Sequence, residues 1–288
     1  MNRTRPTAYV RICAWKSRLL SRAEAASLMA AAEPAAIRRA VVALGLDAPL
    51  PRLLRVYRMT LRAVPDAAAL LRALLRLHEI ENVKLLWRTV VRGHDLRAAR
   101  RLWIPLEDLA TVAPSAMEAP NPRALTETLA RTPYGVIFAD AVRSFSGDGA
   151  AEPAFDRWGS LQLLDAARAL PKHESLARRL AESVVRERDA EALRRGERWF
   201  GVSHPAALTA GAAPRGGRTA DAVEIREERL RLCRRAFIGQ PFTLAPSVAL
   251  VLLAEAEMRA VRALVERQGE EVLDAAATRA MAGAGFES

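Results

Sequence analysis

The chain has 288 residues, of which 51% are hydrophobic, so it can bury the core of one large domain or of two ordinary ones. Aromatic residues make up only 5%, while alanine, leucine and arginine dominate, and this composition favours an all-α fold. The net charge of +11 suits an anionic partner, whether nucleic acid, lipid headgroups or an acidic protein surface, but the sign alone does not choose among them.

The sequence offers no sign of secretion or of a membrane-spanning segment. Residues 1–18 are basic but lack the apolar core of a signal peptide. The most apolar run, residues 247–254, is far shorter than the ~20 residues that cross a bilayer. Any membrane contact would therefore be peripheral. Cys13 and Cys233 lack the paired spacing of a metal or redox motif, which favours a reduced, cytosolic chain.

Short helices are predicted at the start of the chain. Apolar positions at helical spacing indicate a helix over residues 9–20. Ser21 and Glu24 form a capping box that would begin the next helix. A third helix has Pro34 near its first turn and Gly45 just past its last turn.

The clearest helical periodicity lies in residues 66–93, after a predicted chain break at Pro49 and Pro51. Leucine and valine recur through this segment at steps of three and four residues. Arg88 in its last turns suits the helix dipole, and Gly93 suits a left-handed helix end. We therefore predict one long helix here.

The rest of the chain also predicts helices separated by hinges. Prolines make residues 101–123 a seam of turns and short helices. Residues 152–196 predict one or two long helices, with Pro171 as the turn or kink. A final helix begins near Pro246. In residues 177–198 arginine alternates with acidic residues, which indicates a solvated helix face rather than a binding patch.

Catalytic and metal-binding motifs are incomplete in this sequence. His78, Glu79 and Asn82 fall one residue short of the zinc-protease pattern HExxH, because Asn82 occupies the place of the second histidine. The segment GAAPRGGRT has Arg218 in place of the phosphate-loop lysine and no preceding strand, so a linker is the better interpretation. We predict no catalytic residue, no metal, no cofactor and no small-molecule substrate.

Four segments, taken in order, resemble the AC39-like family of V-type and archaeal-type rotary ATPase subunits, whose members carry the letter C in archaeal-type complexes and d in eukaryotes. The segments are AYVRICAWKSRLLSRAEAASLMAA, EIENVKLLWRTVVRG, LARTPYGVIF and EPAFDRWGSLQLLDAARAL. Each is a degenerate helical pattern, but together with two C-terminal helices they cover nearly the whole chain.

The family pattern is an acidic residue, an asparagine three residues on, apolar positions, a basic residue and a glycine. The first copy corresponds to Glu79, Asn82, Leu86, Arg88 and Gly93. A second copy lacks the asparagine, and its matching positions are Glu228, Leu232, Arg234 and Gly239. A fainter third copy runs from Glu255 to Gly269. We further predict that Glu79 and Asn82 hold a neighbouring helix end or loop by hydrogen bonds.

The resemblance implies an all-α, funnel-like assembly of three related helical units in a pseudo-threefold arrangement. The whole chain, 1–288, would form a single domain, with units at roughly 1–110, 111–202 and 221–288 and a flexible connector at 203–220. The implied role is a non-catalytic central-stalk subunit. It would be a socket that couples the shaft subunits D and F to the membrane proteolipid ring, on the cytoplasmic side of the membrane, in support of proton or sodium transport.

Two other functions stay open at this stage. The positive charge also suits a basic helical nucleic-acid-binding protein, although aromatic residues do not interleave with the arginines and no recognition motif is present. A generic helical scaffold would explain the repeated patterns as products of an Ala-, Leu- and Arg-rich composition. Association with a shaft subunit and a proteolipid ring distinguishes the rotary role from both.

Overall fold

The computed structural model describes residues 4–31, 33–144, 151–200, 222–239 and 242–266. Over these residues the chain forms twelve α-helices and short helical turns, and it has no strand. The predicted all-α fold is therefore confirmed. The connector predicted at 203–220 lies outside the described residues, as does the glycine-rich segment around Arg218.

The α-helices of the described residues are numbered in chain order. They are α1 (Thr4–Lys16), α2 (Arg22–Ala30), α3 (Pro34–Ala43), α4 (Pro49–Ala63), α5 (Ala68–Leu86), α6 (Leu96–Leu102), α7 (Pro122–Leu129), α8 (Gly135–Ser144), α9 (Ala151–Arg168), α10 (Ser175–Phe200), α11 (Ala222–Gly239) and α12 (Ala245–Glu266). Between α6 and α7 the proline-rich seam forms only two 3₁₀ turns, Glu107–Leu109 and Pro114–Glu118, as its composition predicts.

Local end signals place several helix boundaries correctly. The Ser21 hydroxyl accepts from the Glu24 amide at 3.2 Å, and the Glu24 carboxylate accepts from the Ser21 amide at 2.7 Å, so the capping box is present. Helix α3 begins at Pro34, and Gly45 follows it with φ 64°. This left-handed conformation is one that glycine adopts without steric cost.

Two predicted boundaries are wrong. Pro49 and Pro51 do not break the chain, because they lie in the first turn of α4, where a missing amide hydrogen costs no helical bond. Helix α1 ends at Lys16 instead of continuing to residue 20. The reason is the next cap: Ser21 takes an extended conformation, with ψ 163°, and the chain must leave the helix before it.

Unit 1 contains the described residues within 1–71, 169–190 and 216–288. Helix α12 is its centre and packs against α1, α3, α4 and α11. The first half of α12, including Val248, Leu250 and Val251, is buried on every side. The most apolar run of the sequence is therefore a core helix. A helix that is hydrophobic all round needs such an environment.

Unit 2 contains the described residues within 72–168 and 191–215, and most of α5 belongs to it together with α6 to α9. The side chains of Ile80 and Leu77 on α5 lie against Gly159 on α9, where an added Cβ would overlap Ile80 Cδ1. A glycine at this position lets the two helices approach closely. This pairing places the polar residues of α5 described below.

Candidate functional site

The carboxylate of Glu79 lies in the interior of unit 2, with 1% of the residue exposed. It accepts four hydrogen bonds: from the backbone amides of Thr111 and Val112, the latter at 2.8 Å, from the Thr111 hydroxyl at 2.6 Å, and from the Tyr134 hydroxyl at 2.8 Å. Burial, and then the charge of Glu79, raise the pKa of Tyr134, so this phenol stays a donor. A buried carboxylate needs such a full set of donors.

Asn82 lies less than one turn further along α5 and is fully buried. Its side chain donates to the carbonyl of Ile104 and accepts from the amide of Ile104, both at 2.8 Å. The loop between α6 and α7 is thus held at Ile104 by Asn82 and at Thr111 by Glu79. The predicted hydrogen bonds from these two side chains to a neighbouring loop are present.

The loop between these anchors contains a strained residue. Glu107 has φ 55°, a left-handed conformation that costs a residue with a Cβ roughly 1–2 kcal/mol. Such a conformation persists where the surroundings fix the chain on both sides. The clamps at Ile104 and Thr111 supply that restraint.

Another face of α5 carries cations that pair with α9. Lys84 and Asp156 are both buried, and the Lys84 ammonium lies 2.7 Å from the Asp156 carboxylate. One turn further on, the guanidinium of Arg88 makes a two-point contact with the carboxylate of Glu152, with Nε to Oε1 at 2.8 Å. This hydrogen bonding raises the pKa of Arg88. The charges of α5 therefore fix its register against α9.

The first motif copy ends in a segment that is fixed by aromatic packing and followed by a glycine. Leu86 is buried, and Trp87 packs edge-on against Phe138 and Phe155, at centroid distances of 5.8 and 5.9 Å. The helix widens into a π-helical turn at Trp87–Val91, and Gly93 ends it with φ 68°. The left-handed helix end predicted at Gly93 is confirmed.

The second motif copy lies on α11 and has different surroundings. Leu232 is buried, like Leu86. Glu228 is half-buried and pairs with Arg186, whose Nη2 lies 3.0 Å from Oε2. Arg234 is exposed, and Gly239 ends the helix without a left-handed φ. Only the apolar position thus has matching surroundings in the two copies.

Residue spacing explains part of this difference. Glu228 precedes Leu232 by four residues, as Asn82 precedes Leu86, whereas Glu79 precedes Leu86 by seven. Counted from the shared leucine, Glu228 therefore corresponds to Asn82 in position. The second copy has no counterpart of the Glu79 carboxylate.

Unit 1 instead buries an ionic cluster around Glu187 of α10. Both Glu187 and Arg229 are 3% exposed and pair directly, Arg226 Nε lies 2.6 Å from the Glu187 carboxylate, and Arg259 Nη1 lies 3.8 Å from it. Burial alone would raise the pKa of Glu187, but Arg229, Arg259 and Arg226 lower it to about 2. The solvated helix face predicted for residues 177–198 is wrong at this residue.

The apolar stripe of α10 is the signal that could have identified Glu187. Leu180 and Val184 are buried, and Glu187 follows them at the same helical spacing. A carboxylate that continues an apolar stripe is expected to be buried, so it needs a cationic partner or a full set of hydrogen-bond donors. The partner itself, on α11, is too distant in sequence to be read from this pattern.

Within each unit, the buried charged side chains described above pair with other groups of the same unit. His78 is half-buried, and among the described residues no group of three or more His, Cys, Asp or Glu side chains is placed to hold a metal ion. Burial raises the pKa of the Cys233 thiol to about 12, which leaves it unreactive at neutral pH. Over the same described ranges, no helix has both the length and the apolar character that crossing a bilayer requires.

Comparison with known proteins gives one family. The family described as ATP synthase (C/AC39) subunit matches residues 50–194, half of the chain. The matched span contains the α5 motif and the segments LARTPYGVIF and EPAFDRWGSLQLLDAARAL, whereas α1 to α3, α11 and α12 lie outside it. No curated protein matches the sequence.

Proposed function

Since the chain belongs to the ATP synthase (C/AC39) subunit family, a family of rotary V-type ATPase subunits, we propose that it is the non-catalytic central-stalk socket of such a complex. In this role it couples the shaft subunits D and F to the membrane proteolipid ring, on the cytoplasmic side of the membrane, and supports proton or sodium transport. The match over residues 50–194 is the observation that carries the proposal.

The packing of unit 2 supports a mechanical role. The Glu79 and Asn82 clamps fix the α6–α7 loop, and the ion pairs of Lys84 and Arg88 fix α5 against α9. A torque coupler must resist deformation, and densely packed interiors transmit strain because they deform little. Hydrogen bonds and ion pairs with fixed geometry add to this resistance, because they hold each helix in one register against its neighbour.

The three related helical units and the pseudo-threefold arrangement stay predictions. Helices α5 and α11 carry two of the motif copies, and the leucine of each copy is buried. The nine motif residues, Glu79 to Gly93 on α5 and the turn that follows it and Glu228 to Gly239 on α11, are likewise proposed as family positions that shape the fold, with no catalytic role.

Co-purification tests the proposal directly. The tagged chain, expressed beside the other subunits of its rotary ATPase, should recover a D-type shaft subunit and the proteolipid ring in detergent. An Asn82→Leu variant, which loses the clamp on Ile104, should recover less of both, whereas Asn121→Ser, an exchange of one capping residue for another at the start of α7, should recover as much as the wild type. Isolation of the wild type without either partner would overturn the proposed function.

A further inference from the structure

The last turns of α11 carry an exposed apolar residue surrounded by arginines. Ile238 is 85% exposed, the largest fraction for any large hydrophobic side chain among the described residues. Arg231, Arg234 and Arg235 are exposed and precede it by seven, four and three residues, so all four side chains share one face of the helix. We call these four residues the α11 patch.

The arginines of the two halves of α11 have different partners. In the first half, Arg226 and Arg229 pair with the buried carboxylate of Glu187. In the second half, no carboxylate of the described chain pairs with Arg231, Arg234 or Arg235. The three acidic residues of α11, Glu224, Glu227 and Glu228, all precede these arginines. The charged residues of the patch are thus all cations.

Helix α1 contacts the end of α11 without adding acidic residues. The Tyr9 hydroxyl donates to the carbonyl of Phe237 at 2.8 Å, and the Lys16 ammonium lies 5.0 Å from the centre of the Phe237 ring. Phe242, which is 46% exposed, packs edge-on against Tyr9 at 6.3 Å. The first acidic residue of the chain is Glu24, so α1 supplies only positive charge here.

We propose that the α11 patch binds the surface of an anionic lipid bilayer. The cations would lie among the headgroups, while Ile238 would enter the boundary with the acyl chains. Interfacial segments combine these two features, and each cation near an anionic surface adds to the attraction. The helix dipole accounts for cations at a helix end, but it gives no reason for an exposed isoleucine among them.

This inference does not depend on the proposed rotary role, because the isolated chain can be tested. Vesicles of phosphatidylcholine alone are compared with vesicles of equal parts phosphatidylcholine and phosphatidylserine, and bound protein is measured by flotation. We expect binding to the anionic vesicles only, and a decrease in binding as salt is raised. Equal binding to both vesicles, or binding to neither, would overturn the proposal while leaving the co-purification result unaffected.

A charge-matched pair of variants locates the surface. Arg234→Glu with Arg235→Glu should lower the partition coefficient at least ~25-fold, since each arginine contributes about fivefold. The control, Arg97→Glu with Arg101→Glu on α6, makes the same change in net charge at two exposed residues of unit 2 and should change binding less than about threefold. Equal losses in both variants would mean unspecific attraction and would overturn the proposal.

The apolar residue of the α11 patch is tested by a separate variant, and an acidic protein is tested as the other possible partner. Ile238→Ser should lower binding roughly tenfold, since it removes most of one apolar side chain from the interface. Because the substituted residues are exposed, we expect the variants to fold as the wild type does, and unaltered melting curves would check this. Binding to soluble polyglutamate that exceeds binding to anionic vesicles would assign the patch to an acidic protein instead and overturn the lipid proposal.

Discussion

Helix α5 places a carboxylate in the interior of unit 2, whereas helix α11 places a guanidinium in the interior of unit 1. Glu79 is held by four uncharged donors, and the partner of Arg229 is a carboxylate that three arginines surround. The two carboxylates are therefore accommodated differently. Glu79 relies on hydrogen-bond geometry, while Glu187 relies on opposite charge, and the two should respond differently to substitution and to acid.

The largest effect is expected from Glu187→Gln. The change leaves Arg229 buried without an anionic partner, and breaking a buried ion pair in this way costs roughly 3–5 kcal/mol of the free energy of unfolding. Urea denaturation at neutral pH measures it. Glu228→Gln is the control, because its pair with Arg186 is partly exposed and should cost less than about 1 kcal/mol. Equal losses for the two variants would contradict the ionic account of unit 1.

Acid should weaken unit 1 through the same residue. The pKa of Glu187 is about 2, below its ordinary 4.5. A carboxylate with a lowered pKa stabilises fully above its unfolded value, and this contribution disappears as the pH falls through the folded value. We expect a loss of about 3 kcal/mol between about pH 5 and pH 2. Melting across this range should show a smaller loss in Glu187→Gln, and identical pH profiles would refute the assignment.

Glu79→Gln tests unit 2 and should lower the free energy of unfolding by about 2 to 3 kcal/mol. The substitution removes hydrogen bonds to a charged acceptor, and the NH2 group of the new amide would face groups that are themselves donors. Denaturation in urea measures the loss, and amide hydrogen exchange at Thr111 and Val112 shows whether the loop is released. Glu118→Gln, at an exposed pair with Arg100, is the control. Unchanged exchange at Thr111 would mean that Glu79 does not hold the loop.

Local signals in the sequence predict much of the fold. The capping box at Ser21, the proline that opens α3 and the glycine ends at Gly45 and Gly93 are correct because each depends on a few adjacent residues. The break predicted at Pro49 is wrong because proline can end a helix or begin one. It begins a helix where the apolar periodicity follows the proline, as it does here.

The candidate site is predictable only in part, for the same physical reason. Glu79 and Asn82 interrupt an apolar pattern, which indicates buried hydrogen bonds, but their partners lie 22 to 55 residues away. Glu187 resembles a surface residue in the sequence because its neighbours alternate in charge. Pairing across such distances is decided by tertiary packing, which helical periodicity does not encode.

A smaller loss is expected for Asn82→Leu. The backbone amide and carbonyl of Ile104 lose their partners at 2.8 Å, and we expect a cost of about 2 kcal/mol. Thermal unfolding measures it, beside the recovery of partner subunits described above. Asn121→Ser serves again as the control, because it keeps a capping side chain at an exposed helix start. Unchanged melting together with unchanged assembly would refute a structural role for Asn82.

The smallest effect compares one phenol in each unit. Tyr134→Phe removes a donor to Glu79 at 2.8 Å, and Tyr57→Phe removes a donor to Glu255 at 2.7 Å, while both rings keep their packing. We expect each to cost about 1 kcal/mol in urea denaturation. Because Tyr134 and Glu79 belong to one network, Tyr134→Phe should cost much less once Glu79→Gln is present, whereas Tyr57→Phe should add fully to it. Additive losses for Tyr134 and Glu79 would show that the phenol is not part of the clamp on the loop.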